Sequence, residues 1–205
     1  MGFTEKLMEQ GRKPYGVPGR IIGYLMNLSH RSVYKWGLGC ISPGNKAIVL
    51  DIGCGGGEVV KSLAMNTPEG KIYGLDHSSE MVGLARRVNQ TFVDSGRVEI
   101  NHGIVSSLPY SDNKFDIVTA FETIQFWPNL DADLREVKRV LKPLGELLIV
   151  NRYPDLEGRN ADWAEFLQIR SSKEYQERLN NAGYRDISID DGSKAGWIMV
   201  SAKKP

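Results

Sequence analysis

The sequence predicts an α/β fold in which a doubly wound, mostly parallel sheet of seven strands is covered by helices on both faces. Short apolar runs alternate with amphipathic helical segments along most of the chain, as expected for a parallel α/β sheet. The first of these runs ends in a cluster of glycines. The last two lie close together, which indicates a C-terminal hairpin that adds an antiparallel strand to the sheet.

Five strands are expected before the C-terminal hairpin. The apolar runs that predict them span residues 47–50, 72–75, 98–100, 115–120 and 147–150. Between these runs, apolar side chains recur at helical spacing in residues 57–66, 79–94 and 130–142. A further helix is expected at residues 172–182. Strands at 187–189 and 197–200 then follow, joined by a turn at Asp190-Asp191-Gly192.

The first 40 residues differ in pattern from the rest of the chain. Glycine and proline interrupt residues 1–18, whereas residues 19–39 carry apolar side chains at roughly helical spacing. We therefore expect an N-terminal arm and lid helices over residues 1–40, and a single domain over residues 41–205. Tyr15 in the arm is a candidate contact to the substrate.

Length and composition are those of an ordinary globular protein. The 205 residues have a formal net charge of +1, with 41% hydrophobic and 25% charged residues, so neither disorder nor attraction to nucleic acid or anionic membranes is expected. No apolar run approaches the roughly 20 residues of a membrane helix, and no secretory signal is visible. Cys40 and Cys54 are expected to be reduced thiols, which favours a cytoplasmic location, and no metal site is predicted.

A glycine loop follows the first predicted strand. Residues 49–58 have the sequence VLDIGCGGGE, in which the glycines allow a sharp bend and the close approach of a ligand. The next strand ends at Asp76, at the same carboxyl edge of the sheet. There its carboxylate can accept hydrogen bonds from both ribose hydroxyls of an adenosine-containing cofactor. The loop and Asp76 together predict a nucleoside-binding site.

The charges beside the loop favour one class of cofactor over another. A dinucleotide fingerprint, G-x-G-x-x-G, requires a glycine at position 58, where the chain has Glu58, a side chain that repels pyrophosphate. Asp51 adds a second negative charge before the loop. S-adenosylmethionine carries a cationic ammonium and sulfonium, so it suits these carboxylates better than NAD does. An NAD(P)-dependent oxidoreductase remains the weaker alternative.

Four segments, in the correct order, resemble motifs of the class I S-adenosylmethionine-dependent methyltransferases. These segments are residues 49–57, 74–81, 103–116 and 139–146, and the resemblance covers about residues 45–150. It is closest to the small-molecule methyltransferase branch. It implies a Rossmann-like fold, S-adenosylmethionine as the cofactor, and methyl transfer to a small organic acceptor by direct displacement.

The resemblance also implies which residues hold the cofactor. Gly53, Gly55 and Gly57 line the methionine moiety, and Asp51 and Cys54 beside them are also expected to bind the cofactor. Asp76 binds the ribose. A second group borders the adenine: His77, Met81, Ile104 and Val105. Many relatives have an acid at the position of Ile104, so the adenine amino group must here find a different hydrogen-bond acceptor.

The segment after the fourth strand is expected at the sulfonium and the acceptor. Phe121 and Glu122 would face the sulfonium, and Glu122 is the candidate catalytic residue. Phe126 and Trp127 would form an apolar wall for the acceptor, or belong to the core. A sulfonium methyl group is already activated, so a dedicated base is not required and its absence excludes nothing. A non-catalytic S-adenosylmethionine-binding protein, or the partner subunit of a methyltransferase, is therefore a second alternative.

Overall fold

The computed structural model describes residues 30–152, 171–192 and 196–205. Its contacts group the chain into two compact units, Met1–Ile104 and Val105–Pro205. The expected arm with Tyr15, and most of the expected lid, lie outside the described residues. Residues 30–38 are helical and are called α1 here. The predicted division at residue 40 remains a prediction.

The first unit contains three parallel strands in the order β3-β2-β1. They are β1 (Ile48–Ile52), β2 (Lys71–Asp76) and β3 (Val98–His102). All but the first residue of β1 and of β2 are buried, as expected for strands covered on both faces. The helices that follow α1 are α2 (Glu58–Asn66), α3 (Ser79–Val88) and α4 (Gln90–Asp94).

The single helix predicted over residues 79–94 is wrong, because the structure has two helices separated at Asn89. The Asn89 side chain is buried, and its Nδ2 donates to the carbonyl oxygens of Ala85, at 2.9 Å, and Gly57, at 3.0 Å. A short amide side chain that bonds nearby carbonyls competes with the helical backbone, which explains why α3 ends there. Asn89 also joins the end of the glycine loop to α3.

The second unit contains four strands in the order β4-β5-β7-β6. They are β4 (Phe115–Phe121), β5 (Leu141–Arg152), β6 (Arg185–Asp191) and β7 (Trp197–Lys203). β4 and β5 are parallel, whereas β7 runs antiparallel to both β5 and β6. A 3-10 turn (Ile124–Phe126) follows β4, and the helices are α5 (Leu130–Val140) and α6 (Ser172–Asn181).

Two boundaries in this unit differ from the prediction. Helix α5 ends at Val140 rather than at residue 142, and β5 begins at once rather than at residue 147, because Pro143 disfavours a helical conformation at Lys142. The predicted turn at Asp190-Asp191-Gly192 is also wrong. Asp190 and Asp191 belong to β6, opposite Met199 and Ile198 of β7, so the connection starts at Gly192.

The seven strands form one sheet with the order β3-β2-β1-β4-β5-β7-β6. This mostly parallel α/β sheet with an antiparallel C-terminal strand confirms the predicted fold class. Within the residues that the structure describes, no helix has the length and apolar character needed to cross a membrane.

Candidate cofactor-binding site

The glycine loop after β1 bends through conformations that favour glycine. Gly53, Gly55 and Gly57 have φ angles of +71°, +49° and +85°. The backbone N–H groups of Gly53 and Cys54 both donate to the carbonyl oxygen of Leu75, at 2.7 and 3.0 Å. The loop is therefore attached to the carboxyl end of β2.

Asp76, the last residue of β2, lies against this loop. Its Oδ2 accepts a hydrogen bond from the N–H of Gly55 at 2.8 Å, and its Oδ1 accepts one from the N–H of Ser78 at 2.9 Å. Burial raises the pKa of the Asp76 carboxyl above its ordinary value, while the two N–H bonds and the nearby histidines lower it. The structure thus brings together the loop and the carboxylate that the sequence predicted as neighbours.

Two histidines flank Asp76. His77 Nδ1 lies 3.6 Å from Asp76 Oδ1, and His102 Nε2 hydrogen-bonds to the carbonyl oxygen of His77 at 3.0 Å. The sequence analysis did not select His102. A usable signal was present, because His102 and Asp76 end neighbouring parallel strands and pair in register.

Other predicted residues of the first unit face the interior. A Cβ atom at Gly74 would lie 3.0 Å from Cys54 Sγ, so the Cys54 thiol packs on β2, and burial raises its pKa. Asp51 and Met81 are also buried, at 1% and 3% exposure. Ile104, by contrast, is 51% exposed. No ligand contact is assigned to these four side chains, and their predicted roles remain predictions.

In the second unit, most of the predicted residues are buried. Val105, Phe121 and Trp127 are between 2% and 6% exposed, whereas Phe126 is half-buried. The burial of Trp127 favours the interpretation that it belongs to the core. Glu122 directly follows β4 and has a left-handed φ of +55°. The roles predicted for these residues remain predictions.

The sequence analysis missed two arginines of this unit. Arg152, at the end of β5, donates from Nε and Nη2 to Glu122 Oε2, at 2.8 and 2.5 Å. Arg139 on α5 donates from Nη2 to the carbonyl oxygen of Leu108, at 3.1 Å, and from Nη1 to that of Tyr110, at 2.8 Å. Both arginines bond to partners that are distant in the sequence. Of the two, only Arg139 was indicated beforehand, by the motif at residues 139–146.

Comparison with known proteins agrees with this fold. The family described as a methyltransferase domain matches residues 50–149. The chain is 28% identical over 158 residues to an O-methyltransferase of Pyrenophora dematioidea, covering 73% of this chain and 58% of that protein. It is 28% identical over 183 residues to the demethylmenaquinone methyltransferase of Lactobacillus johnsonii, covering 76% of this chain and 75% of that protein.

A solved structure supports the fold. The S-adenosylmethionine-dependent methyltransferase of Aquifex aeolicus superposes with a TM-score of 0.68 at 23% identity, covering 88% of this chain and 93% of that one. Residues 50–149 match the methyltransferase-domain family, and together with the relatives this match confirms the class I S-adenosylmethionine-dependent methyltransferase predicted from the motifs. The chain spans only about half the length of several demethylmenaquinone methyltransferases that it resembles, among them that of Bacillus mycoides.

Proposed function

We propose that this chain binds S-adenosylmethionine at the glycine loop of its first unit and transfers the methyl group to a small organic acceptor. The observation that carries the proposal is the contact between Gly55 and Asp76. A buried carboxylate ends β2, and the left-handed loop lies against one of its oxygens at 2.8 Å. This arrangement suits a cationic adenosyl compound.

The hydrogen-bonding capacity of Asp76 fits a ribose. A carboxylate has about four acceptor positions, and the N–H groups of Gly55 and Ser78 account for two of them. The remaining positions suffice for two ribose hydroxyls. A hydrogen bond to a charged group contributes about 1.5–3 kcal/mol, so two such bonds make Asp76 a main source of affinity.

The loop itself also fits a ligand. A Cβ atom at Gly55 would have no neighbour within 4 Å, so there is space beside this left-handed backbone position. Gly57 precedes α2 and provides no side-chain cap to it. The first N–H groups of a helix are hydrogen-bond donors that a carboxylate, such as that of methionine, satisfies well.

The chemistry proposed for the bound state requires little from the protein. When bound, S-adenosylmethionine supplies a methyl carbon that its sulfonium already activates for direct displacement, so the chain must align the acceptor and exclude water. The two relatives named above are an O-methyltransferase and a demethylmenaquinone methyltransferase, and their names support a small organic acceptor. The net charge of +1 supports this class of acceptor over nucleic acid.

Calorimetry with S-adenosylhomocysteine and, separately, with NADH tests this function. We expect the wild-type protein to bind S-adenosylhomocysteine and not NADH. Asp76→Asn should weaken binding by about 100-fold, because two charge-assisted bonds are lost. Asp94→Asn is the matched control, since Asp94 is an exposed carboxylate of the same unit whose contact is with Gln90. Binding of NADH, or equal affinities of wild type and Asp76→Asn, would contradict the proposal.

The pH dependence of binding provides an independent prediction. Because burial raises the pKa of Asp76, its protonated form accumulates at a higher pH than for an ordinary aspartate. Affinity for S-adenosylhomocysteine should therefore start to fall, on acidification, above the usual aspartate range. Calorimetry across about pH 4 to 7 checks this, and Asp76→Asn should lack the same decrease. An identical decrease in both proteins would show that another group titrates.

A further inference from the structure

The last carbonyl group of the glycine loop, that of Gly57, is held from two directions. Its oxygen accepts a hydrogen bond from the N–H of Lys61 in the first turn of α2, at 3.0 Å, and another from Asn89 Nδ2 at the end of α3, also at 3.0 Å. A backbone carbonyl has two acceptor positions, and these bonds occupy both. The orientation of this peptide group therefore depends on a side chain 32 positions away in the sequence.

Asn89 is itself held firmly. The residue is only 1% exposed, and its Nδ2 also donates to the carbonyl oxygen of Ala85 at 2.9 Å. Its backbone N–H donates to the same oxygen at 3.0 Å, and its carbonyl oxygen accepts from the N–H groups of Phe92 and Val93, at 2.9 and 3.0 Å. The side-chain amide cannot turn away from Gly57 without breaking these bonds or clashing with its neighbours.

The oxygen of the same side-chain amide has no such partner. Asn89 Oδ1 is buried and accepts no hydrogen bond from the residues that the structure describes. A buried polar atom without a partner lowers the stability of a fold. The fold keeps this cost together with the two N–H bonds, which indicates that the bond to Gly57 serves more than stability.

The Gly57 carbonyl sets the direction of the first N–H group of α2. The carbonyl of Gly57 and the N–H of Glu58 belong to one peptide group, which is planar, so fixing the oxygen also fixes the N–H on the opposite side. Gly57 provides no side-chain cap to α2. The first N–H groups of a helix have no partner within the helix, and they suit a carboxylate.

We propose that Asn89 is a positioning residue for cofactor binding: by holding the Gly57 carbonyl, it directs the N–H of Glu58 toward the carboxylate of S-adenosylmethionine. The inference rests on the proposed function and adds a residue that lies outside the loop. The proposed ribose ligand, Asp76, is held separately, by Gly55 and Ser78. Loss of the Asn89 amide should therefore weaken binding of the amino-acid end of the cofactor and leave the nucleoside end unaffected.

Two ligands that differ in the amino-acid end test this role. S-adenosylhomocysteine has it, whereas methylthioadenosine has a methyl group in its place and keeps the adenosine. Calorimetry with the full chain should show that Asn89→Ala weakens S-adenosylhomocysteine binding by about tenfold and changes methylthioadenosine binding by less than about twofold. A loss of stability alone would not change the ratio of the two affinities.

Arg97→Ala is the matched control, because Arg97 holds the other end of α2. Its Nη2 donates to the carbonyl oxygens of Ala64 and Thr67. Removing this side chain should lower the melting temperature and leave the affinities for both ligands unchanged.

Asn89→Ser separates the bond to Gly57 from the bond to Ala85. A serine hydroxyl can bond to the carbonyl four residues earlier, here that of Ala85, but it lies one bond nearer the backbone than Nδ2 and does not reach Gly57. We expect Asn89→Ser to melt at a higher temperature than Asn89→Ala and to show the same tenfold loss for S-adenosylhomocysteine. If the serine variant regains this affinity as well, or if neither variant folds, Asn89 acts only by ending α3 and the proposal is wrong.

Failure of this inference is distinguishable from failure of the proposed function. If the wild type does not bind S-adenosylhomocysteine, the proposed function is wrong. If the wild type binds it, but Asn89→Ala weakens both ligands equally or weakens neither, only the role of Asn89 is wrong.

Discussion

Gly57→Ala is expected to lower the free energy of unfolding by about 3 kcal/mol. The residue has a φ of +85°, and a side chain in this region costs about 1–2 kcal/mol. The added Cβ would also lie 2.6 Å from Asn89 Nδ2 and 2.9 Å from both Cα and Cβ of Ala85, and overpacking of this kind costs about 1–3 kcal/mol. Denaturant unfolding monitored by circular dichroism measures the effect.

Gly55→Ala is the matched control for this prediction. Gly55 also has a positive φ, of +49°, but a Cβ there would meet no atom within 4 Å. Its cost should therefore be limited to about 1–2 kcal/mol of backbone strain. We expect this variant, unlike a surface substitution, to lose affinity for S-adenosylhomocysteine, because the added methyl group occupies the space proposed for the ligand. Equal losses of stability at Gly55 and Gly57 would contradict the role of the contacts with Asn89 and Ala85.

Arg139→Ala is expected to lower the free energy of unfolding by about 2–3 kcal/mol. Arg139 joins Glu136 on its own helix to the segment before β4, where it donates to the carbonyl oxygens of Leu108 and Tyr110 and to Asp112. Removing it leaves the backbone carbonyls without these charged donors, and each such bond contributes about 1.5–3 kcal/mol before solvent screening. The side chain is 32% exposed, so screening reduces the total.

Arg135→Ala is the control on the same helix, since Arg135 is exposed and makes no hydrogen bond or ion pair with the described residues. It should change the free energy of unfolding by less than about 0.5 kcal/mol. If the two alanine variants unfold at the same denaturant concentration, the link to the segment before β4 does not stabilise the fold.

The pH dependence of stability tests the partner of Arg139. Hydrogen bonds from Arg139 lower the pKa of Glu136 below its ordinary value. A lowered carboxyl pKa contributes stability above the pKa of the unfolded chain, and this contribution is lost as the pH falls through the folded value. The stability advantage of the wild type over Arg139→Ala should therefore shrink on acidification through and below the ordinary glutamate range, which denaturant unfolding at several pH values measures.

Local patterns predicted most of the fold. The β1, β2 and β4 runs are apolar because these strands are buried, and such runs are visible without knowledge of their neighbours. The patterns failed where a single side chain interrupts a periodic segment. Asn89 divides a continuous apolar pattern into two helices, and Pro143 moves the start of β5, because hydrogen bonding and backbone restriction at one residue override the period around it.

The candidate cofactor-binding site was predictable because the glycine loop and the end of β2 can each be recognised as a local motif. The Gly55 N–H and the Asp76 carboxylate are 21 residues apart, but the order strand, loop, helix, strand brings such residues to the same edge of a parallel sheet. Strand order also places His102 at the end of the strand next to Asp76, but no rule specified that His102 would bond to the carbonyl of His77, or that Glu122 would bond to Arg152. These contacts depend on side-chain directions that periodicity does not specify.

The sequence by itself therefore determined the fold class, the glycine loop and the carboxylate beside it. Periodic apolar residues, glycines and the order of the strands are all patterns that can be recognised over short distances along the chain. Only the tertiary structure decided which polar side chains meet. Arg139 reaches the carbonyl of Leu108 across 31 positions, and Arg152 reaches Glu122 across 30. Such contacts form only after the strands have paired, so the directions and the burial of these side chains are properties of the folded chain and not of any segment within it.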